Sequence, residues 1–385
     1  MNSFTAEQEL KLYLLAHGVQ IEPEAEREWM AKFKGPMSLS EYASTSGICL
    51  FTASKNYINA PFIETFTKST EARFVFDVEF AIVWRGVRFP VSVIPVPAYH
   101  YTTYNENGVE YPYTNIGVTH TDRCRISPIE GCAWVCTFCD SPYKKRYRKK
   151  PEYELLRAVE LAKDDPLAPA RHVLISGGTP RPEDEPWIDS IYAFIAQNSP
   201  IPVDVMMPAR HDMGYPAWLR SVGINTLSVN VEIWDVNRAR RITPNKARQL
   251  GRTHYLSYIE KAVEAFGVGF VQSLMVFGET IEPIANTLKG VRALVERGCI
   301  PVLSPFRPDF TTPLDGKPPA TAEEMRRVYV ETLEICNKSE TGIKPGPRCV
   351  PCHHNTVAFP DNSGFYVSLD GDLTNRSWQK QVKTS

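Results

Sequence analysis

The sequence predicts an α/β protein: a partial (β/α)6 TIM-like barrel with an N-terminal β-rich (α+β) extension and a C-terminal Cys-containing tail. Three observations lead there. From residue 120 onward, short β-branched runs alternate with stretches carrying apolar residues at helical spacing. This alternation argues for a parallel sheet with right-handed crossovers, and six units suit a partial barrel with ligands at its strands' carboxyl ends. Before residue 115, strand-like runs follow one another through turn signals instead. The 385 residues suffice for a large core. The expected units are 1–115, 116–310 and 311–385.

The extension opens with a helix over Glu7 to His17. Strand-like runs follow at 47–51, 72–76, 80–84 and 91–96. Trp84-Arg85-Gly86-Val87 signals a hairpin, and Asn105-Glu106-Asn107-Gly108 a second turn. Barrel strands are expected at 123–129, 172–176, 203–207, 226–231, 270–276 and 300–304. Helices are expected at 152–162, 187–197, 217–222, 254–266 and 282–297. A last helix, 322–336, precedes the tail.

Composition narrows the class. With 43% hydrophobic residues, 23% charged residues and a net charge of −1, the chain reads as globular rather than as a general nucleic-acid binder. The polar, acidic N-terminus lacks the basic start and apolar core of a secretory signal. No apolar run approaches the ~20 residues that span a bilayer, so no membrane partner is expected. A cytoplasmic protein follows as the expectation. Its nine cysteines are then reduced thiols, and clustered ones point to metal or redox chemistry.

The strongest cluster is Gly131-Cys132-Ala133-Trp134-Val135-Cys136-Thr137-Phe138-Cys139-Asp140, in the loop after the first barrel strand. Thiolates at this x3 then x2 spacing can wrap one face of a cubane iron–sulfur cluster. Three ligands leave one of four irons open to a small chelating molecule. Two alternatives stand beside this. Cysteine is often a small buried hydrophobe. A structural zinc site would need a fourth ligand, for which Cys124, Cys349, Cys352, His353 and His354 are available.

Cys132-x3-Cys136-x2-Cys139, with Phe138 beside the last cysteine, resembles the signature of the radical S-adenosylmethionine superfamily over residues 120 to 310. The resemblance implies a [4Fe-4S] cluster on Cys132, Cys136 and Cys139 whose open iron chelates S-adenosylmethionine. One electron then cleaves the sulfonium to a 5′-deoxyadenosyl radical, which abstracts a substrate hydrogen.

Downstream positions match in part. Ser176-Gly177-Gly178-Thr179 follows the second strand and resembles the family's Gly-Gly-Glu segment, which binds the cofactor amino group through backbone carbonyls. Thr179 stands where Glu is common. On the fourth strand, alternation puts Ser228, Asn230 and Glu232 on one face. Similarity to biotin synthase assigns Asn230 and Glu232 to the ribose hydroxyls; a salt-bridged rim is the plain alternative for Glu232. Arg241, in the basic stretch that follows, is the candidate for the methionine carboxylate, with a solvated basic helix face as the plain alternative. The fifth strand's end, 272–279, corresponds to the adenine region. The sixth directs Ser304 or Arg307, the catalytic candidates, toward substrate, with Arg307 suited to an anionic group.

Two features lie apart. Cys336, Cys349 and Cys352 form a Cys-x12-Cys-x2-Cys pattern. It resembles the auxiliary-cluster spacing of some superfamily members, such as the molybdopterin precursor enzyme, and implies a possible second iron–sulfur cluster. Cys336 also fits the apolar face of its helix with Val328 and Leu333. The basic run Lys144–Lys150 suits a solvated surface, an acidic flavodoxin or ferredoxin electron donor, or a phosphorylated or nucleic-acid substrate. The leading expectation is radical chemistry on a small-molecule substrate in cofactor or natural-product biosynthesis. The same chemistry on tRNA or protein, and a non-catalytic metal-binding or redox-sensing module, are the alternatives.

Overall fold

The computed structural model describes residues 4–33, 35–37 and 47–360. The expected tail residues 361–385 lie outside the described residues.

The barrel strands form where β-branched runs meet turn-forming ends. They are β10 (Arg123–Ile126), β13 (His172–Ile175), β14 (Val203–Met206), β15 (Thr226–Ser228), β16 (Val271–Phe277) and β17 (Ile300–Pro305). All six pair in parallel in the order β17-β16-β15-β14-β13-β10. A strand absent from the expectation, β9 (Gly117–His120), adds antiparallel to β10 at the edge. Its turn places Thr121 at a φ of 58°. Between β10 and β13 lie the short pair β11 (Ile129–Glu130) and β12 (Arg148–Lys149), which braces the cysteine loop.

The pleat sorts each strand's residues between two environments. Cys124, Ile126, Val173, Ile175, Val203, Val205, Leu227, Val271 and Met275 pack outward into one core. That core is completed by α4 (Glu152–Lys163), α5 (Glu185–Asn198), α6 (Tyr215–Ser221) and α9 (Gly251–Phe266). The alternate positions, among them Arg123, Arg125, Leu174, Met206, Leu274 and Val276, line the barrel's interior. The sequence thus builds a lumen of mixed polarity inside an apolar shell.

The N-terminal unit is mixed α+β, as expected. Its strands are β1 (Gln20–Ile21), β2 (Gly47–Thr52), β3 (Tyr57–Pro61), β4 (Arg73–Phe76), β5 (Phe80–Trp84) and β6 (Val87–Val93), in the order β1-β4-β5-β6-β2-β3. Arg85 and Gly86 both adopt positive φ at the β5–β6 turn, as a tight hairpin with right-handed strand twist demands. Asn107 and Gly108 do the same between β7 (Thr103–Glu106) and β8 (Val109–Pro112). Helix α1 (Ala6–His17) is started by a capping box between Thr5 and Gln8, and α2 (Pro23–Phe33) was not foreseen. α1 presents Leu10 and Leu14 to this sheet's core, and Leu12 and Leu15 to a second core. That second core joins β17, α10 (Ile284–Glu296) and α11 (Ala322–Lys338). One helix therefore welds the two sheets.

The remaining helices are short: α3 (Ser141–Lys144), α7 (Val236–Ile242), α8 (Pro244–Gln249) and α12 (Val350–Asn355). α12 matters most, because it returns after the barrel is complete and packs on β3 at the base of the lumen. Val357 N–H donates to Leu303 O at 2.9 Å, and Asn59 Nδ2 donates to Asn355 Oδ1 at 2.9 Å. Among the described residues, no helix is long and apolar enough to cross a membrane.

Candidate active site

The cysteine loop leaves β10 and folds over the carboxyl ends of the strands. Its shape is fixed by backbone bonds to its neighbours. Ala133 N–H donates to Thr179 O at 3.0 Å, Thr137 N–H to Ile242 O at 2.9 Å, and Val135 N–H to Asn245 Oδ1 at 2.9 Å. Cys132 Sγ accepts from Thr179 N–H at 3.1 Å and from Trp134 N–H at 3.4 Å. Glycine is required where two loops touch: a Cβ on Gly178 would lie 1.8 Å from Gly131 O and 2.9 Å from Cys132 Cα.

The three thiols act on one another. Burial pushes the Cys136 thiol well above its usual range, reinforced by the Glu232 carboxylate and by its two companion cysteines. Burial likewise pushes Cys139 up to about 12, with Asp140 adding to it. Cys136 and Cys139 thus resist ionisation by themselves; bound iron would reverse this by supplying positive charge at the sulfurs. The three thiols border one recess, and Cys132, Cys136 and Cys139 are the residues that would hold a three-thiolate cluster there.

A recess of about 70 Å³ adjoins the thiols, lined by Cys132, Cys136, Cys139, Thr179, Asn230, Glu232 and Lys246 among others. Asn230 is occupied structurally: its Oδ1 accepts from Ser228 Oγ at 2.9 Å and from Leu274 N–H at 3.0 Å. Glu232, beyond the end of β15, sits at a φ of 64° and makes an isolated parallel bridge with Met275 of β16. This turn aims its carboxylate at Lys246, whose Nζ lies 2.7 Å from Glu232 Oε2 and 2.7 Å from Asn230 O. The carboxylate holds the buried ammonium well above its ordinary range against the cost of desolvation. Lys246 was missed by sequence reasoning; it lies on α8, inside a stretch that read as generic basic surface.

A larger chamber of about 190 Å³ continues into the lumen. Its walls include Cys136, Cys139, Phe138, Ser176, Ser304 and Arg307. Arg123, Arg125, Cys352 and Asn355 face it from the base. Arg307 Nη2 donates to Asn355 Oδ1 at 2.7 Å. Its Nη1 is buried and finds no hydrogen-bond partner among the described residues. Burial brings this guanidinium down to about 10, with Glu64 opposing the change.

Some expected residues fall elsewhere. Arg241 is exposed on α7 and lines none of the described cavities around the thiols. Gly177 lines the small recess, while Gly178 faces two flanking pockets. Cys336 is buried on α11 among Tyr329, Ile343 and Val357, where burial raises its thiol to about 12 and Lys344 acts on it. Cys349 and Cys352 lie at the lumen's base, their sulfurs 2.9 Å apart and facing Arg123. Most of the basic run, Arg146 apart, is neutralised locally. Lys144 pairs with Asp140 and Asp309, Lys145 with Glu130, Arg148 with Glu106 and Glu130, and Lys149 with Asp184. Lys150 is buried on Asn115 O.

A three-thiol loop over the carboxyl ends of a partial barrel, beside a small recess and a larger chamber, is an arrangement suited to an iron–sulfur cluster with one iron open to a small chelating molecule. Residues 126–291 match the model of the Radical SAM superfamily. The chain carries a radical SAM domain there, and that superfamily uses a [4Fe-4S] cluster and S-adenosylmethionine. No curated protein sequence matches it. Among solved structures it is similar to a radical SAM methyltransferase from Sphaerobacter thermophilus, at 16% identity and a TM-score of 0.46, covering 57% of this chain and 66% of that one. It is also similar to methylornithine synthase, at 16% identity and a TM-score of 0.43, covering 55% and 61%. The FeFe-hydrogenase maturase HydG from Carboxydothermus hydrogenoformans is similar at 15% identity and a TM-score of 0.41, covering 55% and 51%. The matched part thus spans less than two-thirds of each of these proteins.

Proposed function

We propose that this enzyme abstracts hydrogen from a small anionic metabolite, in cofactor or natural-product biosynthesis. The observation that carries the proposal is Arg307, a buried guanidinium in the chamber with Nη1 lacking a partner. A carboxylate or phosphate meets that need bidentately, and a buried charge without one is costly. Arg125 faces the same chamber and adds to the attraction. Ser304 stands beside Arg307 and supplies a neutral hydrogen-bonding group.

When bound, the cluster and S-adenosylmethionine supply the radical chemistry. The chain's residues hold and shield it. Cys132, Cys136 and Cys139 ligate the cluster. Gly177, Thr179, Asn230 and Glu232 border the cofactor recess, with Lys246 orienting Glu232. Phe138, packed against Ile233, Val276 and Phe306, keeps water from the chamber. A low-potential flavodoxin or ferredoxin in the cytoplasm is the proposed electron source. The local pairing of Lys144–Lys149 with carboxylates speaks against a nucleic-acid substrate held there.

The test is a panel of small carboxylates and phosphates given to the reconstituted, reduced enzyme. A substrate is expected to stimulate 5′-deoxyadenosine formation, and Arg307→Gln to raise its KM. Stimulation only by neutral compounds, indifferent to Arg307→Gln, would overturn the proposal.

A further inference from the structure

Cys352 lines the same chamber as cluster thiols Cys136 and Cys139, entering it from the opposite, basal side. It does not stand alone. Cys349 and Cys352 both line the adjoining basal pocket, together with Arg123, His172, Asp204 and Arg348. Cys349 Sγ donates to Cys352 Sγ at 2.9 Å. Arg123 Nη1 lies 2.9 Å from Cys352 Sγ and 3.7 Å from Cys349 Sγ. The wall behind them is rigid: His172 Nδ1 lies 2.7 Å from Asp204 Oδ2, which is further held by Asn225 and Thr226 through Oδ1.

This geometry suits a pair of sulfurs sharing one proton, with the guanidinium compensating one negative charge. A structural cysteine needs neither a second sulfur nor a cation; Cys299, for one, is fully buried with its Sγ 3.9 Å from Ile300 O. We infer that Cys349 and Cys352 form a hydrogen-donating dithiol that quenches a carbon-centred radical formed in the chamber. The inference rests on the radical reading of the site.

The step balances as follows. The carbon radical takes the shared hydrogen atom, so an S–H bond breaks and a C–H bond forms. The remaining thiyl and thiolate join through a three-electron bond, giving a disulfide radical anion of charge −1. That species gives one electron to a one-electron acceptor, such as an oxidised iron–sulfur cluster, and leaves the Cys349–Cys352 disulfide. An external dithiol reductant then restores the pair by thiol–disulfide exchange. Two neighbouring sulfurs make the hydrogen easier to give than from one, because the second sulfur shares the unpaired electron.

The test uses the reconstituted holoenzyme in D2O with dithionite and S-adenosylmethionine as the only added probe. Exchangeable thiols are then deuterated. Two readouts are taken: deuterium in the 5′-deoxyadenosine produced, and peptide mass mapping of disulfides after alkylation. The expected result is deuterated nucleoside together with a Cys349–Cys352 disulfide. Cys352→Ser, which keeps an acceptor for Arg123 but has no weak S–H bond, is expected to lose both. Cys349→Ser is the companion variant and is expected to lose the disulfide. Cluster absorbance confirms that each variant is loaded. A third measurement needs no turnover: cluster-free protein treated with oxidised glutathione is expected to link Cys349 to Cys352.

Deuterated nucleoside without the disulfide, or labelling unchanged in Cys352→Ser, would overturn the inference. Failure of oxidised glutathione to link the two cysteines would overturn it as well. So would about eight irons per chain with these thiols resisting alkylation, because the pair would then be holding a second cluster. Absence of any 5′-deoxyadenosine from the loaded, reduced enzyme would instead overturn the radical reading itself.

Discussion

Lys11 Nζ donates to the backbone carbonyl of His353 at 2.8 Å and to that of Ala358 at 2.6 Å, tying the first helix to the segment that closes the lumen's base. The ammonium is fully buried over the Phe359 ring, and burial brings it down to about 7. Unfolded, it titrates near 10.5. Between those values the unfolded chain holds more protons, so this group makes stability rise as pH increases from about 7 toward 10.5. Lys11→Met leaves two carbonyls without their donor. At pH 9 it is expected to destabilise by about 1–3 kcal/mol, and by less at pH 6, where the wild type buries a charge. Urea unfolding at both pH values checks this; an equal gap at both would show that Lys11 does not titrate.

His100 acts in the same sense at lower pH. Its Nε2 accepts from Thr119 N–H at 3.0 Å, which requires a neutral nitrogen there. Burial and the neighbouring His120 bring it down to about 3 from 6.5. The unfolded chain therefore takes up a proton below 6.5 that the folded chain refuses until about 3. His353, at about 3, acts in the same direction. Stability is full above pH 6.5 and falls on acidification through that window. His100→Gln is expected to flatten the drop in melting temperature between pH 7 and 4.5.

Gly178→Ala tests the contact between the cysteine loop and the second strand's end. The new Cβ meets backbone, not a flexible side-chain tip, so the loop carrying Cys132 must shift. Iron incorporated on reconstitution is expected to fall, with far-UV circular dichroism unchanged. Full loading of the variant would show that the loop can yield.

Lys246→Met removes the cation from a pair whose side chains are only 11% and 15% exposed. It leaves Glu232 buried and charged, and is expected to destabilise the fold by about 3 kcal/mol. Glu232→Gln is expected to be milder, because the lysine keeps Asn230 O as an acceptor. Both are expected to weaken binding of S-adenosylmethionine in equilibrium dialysis. Unaltered binding in both would remove the pair from the cofactor recess.

The barrel was legible because parallel strands buried on both faces leave compact β-branched runs. His172–Ile175 and Val203–Met206 match the expected runs to within a residue. β9 was not legible: Gly117–His120 has only Val118 and Thr119 to signal a strand, and pairing with β10 supplies the rest. The cysteine triplet could be read because its spacing is local. The Glu232–Lys246 pair could not, since a positive φ redirects the acid toward a helix fourteen residues on. Nor could the position of Cys349 and Cys352, which depends on chain packing from β3 to β17.

The order in which the chain is made gives α12 one further meaning. Residues 349–359 emerge from the ribosome after all six parallel strands, yet they seal the lumen and receive Lys11 from the first helix. Until then the cysteine loop stands above an open tube, reachable from below as well as above. A nascent chain halted before residue 349 would therefore carry the cysteine loop without this floor.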